Sequence, residues 1–264
     1  MYNIGWFSSG RGVGSRDLLS TMYRNIQSGN VKAHIAFVFC NREWGQTEET
    51  DKFLHLVEGY GIPLICCSSR KYRDKLAQED RADWRIKYDR EVMKSLDQFS
   101  VDLVVLAGYM LIVGPEMCGK YTMINLHPAA PGGPKGTWRE VIWQLIEERA
   151  DTTGVMMHLV TPELDEGPPV TYCRFSIRGE PFDRYWKRID RESLDVIKAR
   201  EGEDFQLFKL IRQHGMKREL PLIVATVKAF SEGRVRVENG EVVDADGYPI
   251  DGYDLSEEID GSLR

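Results

Sequence analysis

The chain has 264 residues, of which 42% are hydrophobic and 29% charged, with a formal net charge of −6. These proportions are ordinary for a globular chain long enough to bury a full core. The negative balance argues against a nucleic-acid partner, which needs a basic face, and no apolar run approaches the roughly 20 residues of a membrane helix.

In chain order, Ile4–Phe7 is a short apolar strand without the basic start of a signal peptide. A Gly-rich loop, Ser9–Arg16, leads into a helix from about Ser15. Ala33–Cys40 is a second strand, Glu48–Tyr60 a helix with apolar Phe53, Leu54 and Val57, and Ile62–Cys67 a third strand. Trp84–Phe99 has helical spacing through Ile86, Val92, Met93 and Leu96. Val101–Ala107, apolar apart from Asp102, reads as a central parallel strand covered on both faces. Met123–His127 is the next strand, and Thr137–Arg149 a helix starting from a Thr cap. This alternation predicts an α/β fold, a Rossmann-like, mostly parallel twisted sheet with helices on both faces. Right-handed crossovers place the loops that follow the strands on one edge.

From Gly154 the pattern changes. Val155–Thr161 and Val170–Ile177 are strands separated only by the Pro162–Pro169 loop, which predicts a hairpin or meander at the sheet edge. Phe182–Gln213 is a long charged stretch with helical spacing, and Glu219–Glu232 a further helix. Val235–Val237 and Val242–Val243 form a small hairpin around Asn239-Gly240, and the acidic last dozen residues read as a frayed tail. The expected organisation is a catalytic domain over 1–177, a helical insertion over 178–215, and a helix, hairpin and tail over 216–264 packed on the same domain. The five cysteines are scattered, with no Cys-x-x-Cys pair or neighbouring histidine cluster. They read as free thiols in a reducing cytoplasm and support no metal site.

The chemistry concentrates in Asn125-Leu126-His127-Pro128. Side chains alternate along a strand, so Asn125 and His127 share a face. Pro128 cannot donate to a sheet ladder and ends the strand there, which leaves both groups at its carboxyl end, where open α/β sheets bind ligands. With Asp165 from Glu163-Leu164-Asp165-Glu166-Gly167-Pro168 they would make an amide, an imidazole and a carboxylate suited to acyl transfer. The Gly-rich loop, Gly10, Arg11, Gly12, Val13, Gly14, Ser15 and Arg16, follows a strand and opens a helix. Its free N–H groups and the helix dipole suit a phosphate, aided by Arg11 and Arg16. A dinucleotide site is the rival reading of this loop. Its third glycine position is Ser15, and Asn41-Arg42 stands where an acid is expected after the second strand.

These motifs, with Val101–Val113 and Thr153-Gly154-Val155-Met156-Met157-His158 in the same order, resemble the folate-dependent formyltransferases over roughly residues 3–177 and more weakly 216–250. The resemblance implies the formyltransferase fold and 10-formyltetrahydrofolate as co-substrate. It implies that Asn125 holds the formyl oxygen, His127 stabilises the oxyanion, and Asp165 pairs with the imidazole and relays the amine proton. Leu106, Tyr109, Met110, Leu111, Ile112 and Val113 would border the folate, backbone groups of Glu163 and Leu164 would read its pteridine edge, and Arg85 would bind an anionic end. The Gly-rich loop would hold the phosphate of phosphoribosylglycinamide, the amine acceptor of a purine-pathway step, although it is two residues longer than in the family. Near Met216–Pro221 the family's Glu-His acceptor pair is missing, and Arg178–Gly215 is longer than in relatives. Another amine acceptor, such as an amino sugar nucleotide, therefore stays open for Arg212, Lys217, Arg218 and Glu219, as does hydrolysis to formate. Small-molecule partners alone, with no nucleic acid or membrane, are expected, and a homodimer is compatible with the chain.

Overall fold

The computed structural model describes residues 1–76 and 83–263. The first half builds βαβ units in the expected order: β1 (Tyr2–Ser8), α1 (Val13–Gln27), β2 (Ala33–Cys40), α2 (Glu48–Gly59), β3 (Leu64–Cys66), α3 (Ser69–Lys75), α4 (Trp84–Leu96), β4 (Leu103–Leu106), α5 (Pro115–Lys120) and β5 (Met123–His127). Then follow α6 (Trp138–Glu147), β6 (Thr152–Leu159), β7 (Pro169–Ser176), α7 (Asp183–Ile189), α8 (Leu194–Glu201), α9 (Gln206–Ser231), β8 (Val235–Glu238), β9 (Glu241–Asp244), β10 (Tyr253–Asp254) and α10 (Ser256–Ser262). Thr137 caps α6 through a full capping box with Glu140, as its sequence predicts.

The main sheet has eight strands in the order β10-β7-β6-β5-β4-β1-β2-β3. The pairs from β3 to β5 are parallel, and β6 and β7 add antiparallel strands. The chain thus leaves β1 toward β2 on one side and returns to β4 on the other. At this reversal of strand order the loops after β1 and β4 leave the carboxyl edge, the place where sheets of this kind have their ligand crevice. One side of the sheet packs Leu19, Met22, Phe53, Val227 and Phe230 against Ile4, Trp6, Val38 and Val105. The other buries Phe7, Phe37, Phe39, Tyr88, Val92 and Met117.

The carboxyl-terminal third differs from the expectation in two places. The late helix is one continuous α9 that runs through Gly215 and Pro221, so residue 215 falls inside an element. A proline inside a helix costs about 3 kcal/mol. Here Leu207, Phe208 and Ile211 before it and Leu222–Val227 after it are buried, enough apolar area to offset that cost. The acidic tail is not frayed. Tyr253–Asp254 pairs in parallel with β7, and α10 follows. Leu255 and Ile259, each 1% exposed, anchor a segment that is otherwise mostly polar and acidic. Residues 178–215 form a second apolar cluster with α6, in which Trp186, Phe205 and Phe208 pack on Ile142 and Ile146. Among the described residues no helix is long and apolar enough to cross a membrane.

Candidate active site

Three adjacent strands set the central geometry. Leu106 of β4 lies beside Asn125 of β5, and Asn125 lies opposite His158 of β6. The carboxyl end of β4, the polar strand tip and a second histidine therefore meet on one line across the sheet. Asn125 Nδ2 lies 3.1 Å from His158 Nε2, and His158 Nδ1 lies 3.0 Å from the Leu159 carbonyl. A carbonyl can only accept, so His158 carries its proton on Nδ1. Its Nε2 lone pair then takes an Asn125 N–H, which fixes the orientation of the carboxamide. His127 is 3% exposed, and its Nε2 lies 3.1 Å from the Pro134 carbonyl. By the same argument Nε2 carries a proton, and Nδ1 faces Asp165 Oδ2 at 3.9 Å. Asp165 Oδ1 is 3.6 Å from His158 Nε2, so one carboxylate stands between two imidazoles.

The loop after β6 brings Asp165 into place. Asp165 has φ of 55°, a left-handed conformation that Asp tolerates better than most residues. Gly167 passes so close to the chain that an added Cβ would lie 1.7 Å from the Leu159 carbonyl oxygen. Any side chain there would push the loop, and Asp165 with it, off β6. Lys135 Nζ reaches Glu166 Oε1 at 2.9 Å and ties this loop to the one carrying Pro134. The Asp165 carboxyl lies below its ordinary range, first through His158, which can donate to it from Nε2 only as the imidazolium, then through His127 and the Gly136 N–H. Burial pushes the His127 imidazole down, against the upward pull of the Pro134 carbonyl and Asp165. The unliganded ring is thus mainly neutral near pH 7, with Nδ1 as its one free nitrogen.

The loops on either side of the crevice are joined by Ser9. Its N–H donates to the Gly108 carbonyl at 3.0 Å, and its Oγ accepts the Met110 N–H at 3.0 Å. Of the segment expected to border a folate, Leu106, Tyr109 and Val113 are buried, Leu111 and Ile112 half-buried, and Met110 is 58% exposed. The Tyr109 ring packs against Phe7 and Phe39, so that position offers its backbone to a ligand. Glu163 and Leu164 are exposed beside Asp165, and Arg85 is exposed on α4.

Gly10, Arg11, Gly12, Val13, Gly14, Ser15 and Arg16 run from β1 into α1. Gly12 supplies no side-chain cap, and the first turn holds no acid. Arg11 is exposed, Val13 is 59% exposed, and Ser15 is buried against Gly108. Arg16 is paired with Glu49 at 2.7 Å, so much of its charge is already answered. Arg42, from the loop after β2, turns toward this site. Its Nη1 donates to Thr50 Oγ1 at 3.4 Å, and that hydroxyl donates to the Gly10 carbonyl at 3.2 Å. Burial, then the Arg11 charge, lowers the Arg42 pKa, as for two cations facing one space. His158, Ser9 and Arg42 were not singled out as site residues from the sequence. His158 carried a usable signal, a lone polar residue in the apolar run Val155–Leu159.

The formyl transferase family profile matches residues 11–180. Phosphoribosylglycinamide formyltransferase of Saccharomyces cerevisiae is 29% identical over 182 residues, covering 63% of this chain and 81% of that protein. Its Haemophilus influenzae counterpart is 25% identical over 257 residues, covering 96% of this chain and 99% of that one. Among solved structures, the phosphoribosylglycinamide formyltransferase of Coxiella burnetii superposes with a TM-score of 0.68 at 21% identity, over 96% of this chain and 98% of that one. At that identity the superposition speaks for the fold.

Proposed function

The chain belongs to the formyl transferase family, and on that premise we propose that it transfers the formyl group of 10-formyltetrahydrofolate to the amine of phosphoribosylglycinamide. The observation that carries this reading is the meeting of Asn125, His127 and Asp165 at the tip of β5, with both Asp165 oxygens turned to imidazoles. The relatives' shared activity supports the acceptor. So does the uncapped first turn of α1, with Arg11 and Arg42 beside it, as a seat for a phosphate.

In this reading the amine nitrogen attacks the formyl carbon, forming a C–N bond and leaving an oxyanion and an ammonium. Asn125, with one amide hydrogen given to His158, directs the other to the oxyanion. His127 can donate only through Nδ1, so it donates as the imidazolium. Burial opposes that form in the free protein, and the oxyanion together with Asp165 restores it. One such donor is worth ~3–4 kcal/mol of barrier. Asp165 takes the ammonium proton through a water, and the folate N10 receives it as the C–N10 bond breaks. Arg85, the Met110–Ile112 edge and the backbone of Glu163 and Leu164 would hold the donor. Small-molecule partners alone, a cytoplasmic setting consistent with five free thiols, and a homodimer where copies associate belong to the same reading.

The test mixes the protein and 10-formyltetrahydrofolate with phosphoribosylglycinamide, with an amino sugar nucleotide, or with no acceptor. Formyl product with phosphoribosylglycinamide alone is expected. Transfer to the sugar nucleotide would replace the acceptor, and formate release without any amine would make the protein a hydrolase.

A further inference from the structure

Asp89 is a carboxylate in an apolar place. It is 3% exposed on α4, next to Tyr88, which belongs to the aromatic side of the core. Burying a carboxylate without good partners is costly, and the burial pushes its carboxyl up to about 6. The hydrogen bond it makes is from the Gly114 N–H to Oδ2, at 2.7 Å. Gly114 has an ordinary φ of −81°, so no unusual backbone calls for glycine there. The reason is closeness, since an added Cβ would lie 2.9 Å from Asp89 Oδ2. Carboxylate and glycine fit as a pair.

Gly114 ends the segment that begins at Gly108 and runs along the crevice. Ser9 fixes the first end through Gly108 and Met110, and Asp89 fixes the second. Arg85 stands one helical turn before Asp89, and residues four apart share a helix face. The same helix therefore carries the exposed Arg85 and, one turn on, the anchor for the segment that ends at Gly114.

We propose that Asp89 is a positioning residue for the folate donor: through Gly114 it holds the Met110–Val113 wall in register with Arg85, so that the two ends of the donor are received together. This rests on the reading of that wall as the folate site. Asp89 touches neither the reacting carbonyl nor the acceptor, so its loss acts on the donor alone.

The experiment measures KM for 10-formyltetrahydrofolate, KM for phosphoribosylglycinamide, kcat and Tm in wild type, Asp89→Ala, Asp89→Asn and Gly114→Ala. Asp89→Ala should raise the donor KM about tenfold, the scale of one hydrogen bond to a charged group, with kcat and acceptor KM within about twofold. Asp89→Asn, whose carbonyl oxygen still accepts the Gly114 N–H, should restore the donor KM to within about threefold. Gly114→Ala, which crowds the carboxylate, should repeat the loss and carries the test if the Ala variant does not fold. An unmoved donor KM in a folded Asp89→Ala protein, or donor KM, acceptor KM and kcat worsening together, would overturn the positioning role. Wild-type protein that neither binds nor turns over the folate would overturn the donor reading instead, and this proposal with it.

Discussion

At Nδ1, 3.9 Å from the Asp165 carboxylate, the His127 ring has its one nitrogen not committed to the backbone. Because burial lowers its pKa, the unfolded ring takes up a proton first as the pH falls. The stability from burying a neutral ring is therefore present above the unfolded value of ~6.5 and lost as the pH drops below it. His127→Gln should accordingly lose less Tm between pH 7.5 and 5.5 than wild type, as thermal unfolding at both values would reveal. His158 acts on Asn125 by accepting its N–H. Replacing it with Leu frees the carboxamide to turn, and kcat should fall about tenfold, the worth of one oriented hydrogen bond. Steady-state kinetics should find the donor KM within about twofold; an unchanged kcat would detach His158 from the site. Asn125 and His127 were legible from strand alternation and the Pro128 stop, and Asp165 from its motif. For His158 the signal was there but ambiguous, because a lone histidine in an apolar run most often fills a core, and only the β5–β6 register sets it opposite Asn125.

Elements fared unevenly for physical reasons. The strands and the longer helices up to α6 were legible because apolar runs and helical periods alternate there with turn signals, whereas α3 and α5, of seven and six residues, are too short to show a period. The late helix was read only from Glu219, with 178–215 set apart as an insertion, yet tertiary burial on both sides of Gly215 and Pro221 makes α9 one helix. The tail read as frayed because two buried anchors, Leu255 and Ile259, are too few to form a pattern. Ile259→Ala should cost about 2–4 kcal/mol, measurable by denaturant unfolding; a change near zero would mean α10 is not anchored there. For α4 the sign is opposite. Asp89 titrates at about 6 when folded against ~3.9 unfolded, so stability is lost as the pH rises through that window. Asp89→Asn removes the charge and keeps the acceptor. It should raise Tm by roughly 2–6 °C at pH 7, with the gain shrinking toward pH 4.5, and an equal gain at both values would contradict the titration.

Over the whole molecule, topology decides where chemistry can occur. With β1 between β2 and β4, the phosphate-suited loop after β1 and the apolar wall after β4 face each other, and β5 delivers Asn125 and His127 between them. The antiparallel β6–β7 pair then returns the chain so that its connecting loop covers the tip of β5 with Asp165. The parallel half of this plan followed from the βαβ rhythm. The latch between the Pro134 and Asp165 loops did not, because Lys135 and Glu166 meet only in space. Whether this convergence moves a formyl group is read most directly from the turnover of Asp165→Asn beside its affinity for the folate. Formyl transfer to phosphoribosylglycinamide should fall by about 100-fold or more while folate binding stays within a few-fold of wild type. Turnover at the wild-type rate in that variant would contradict transfer at this convergence.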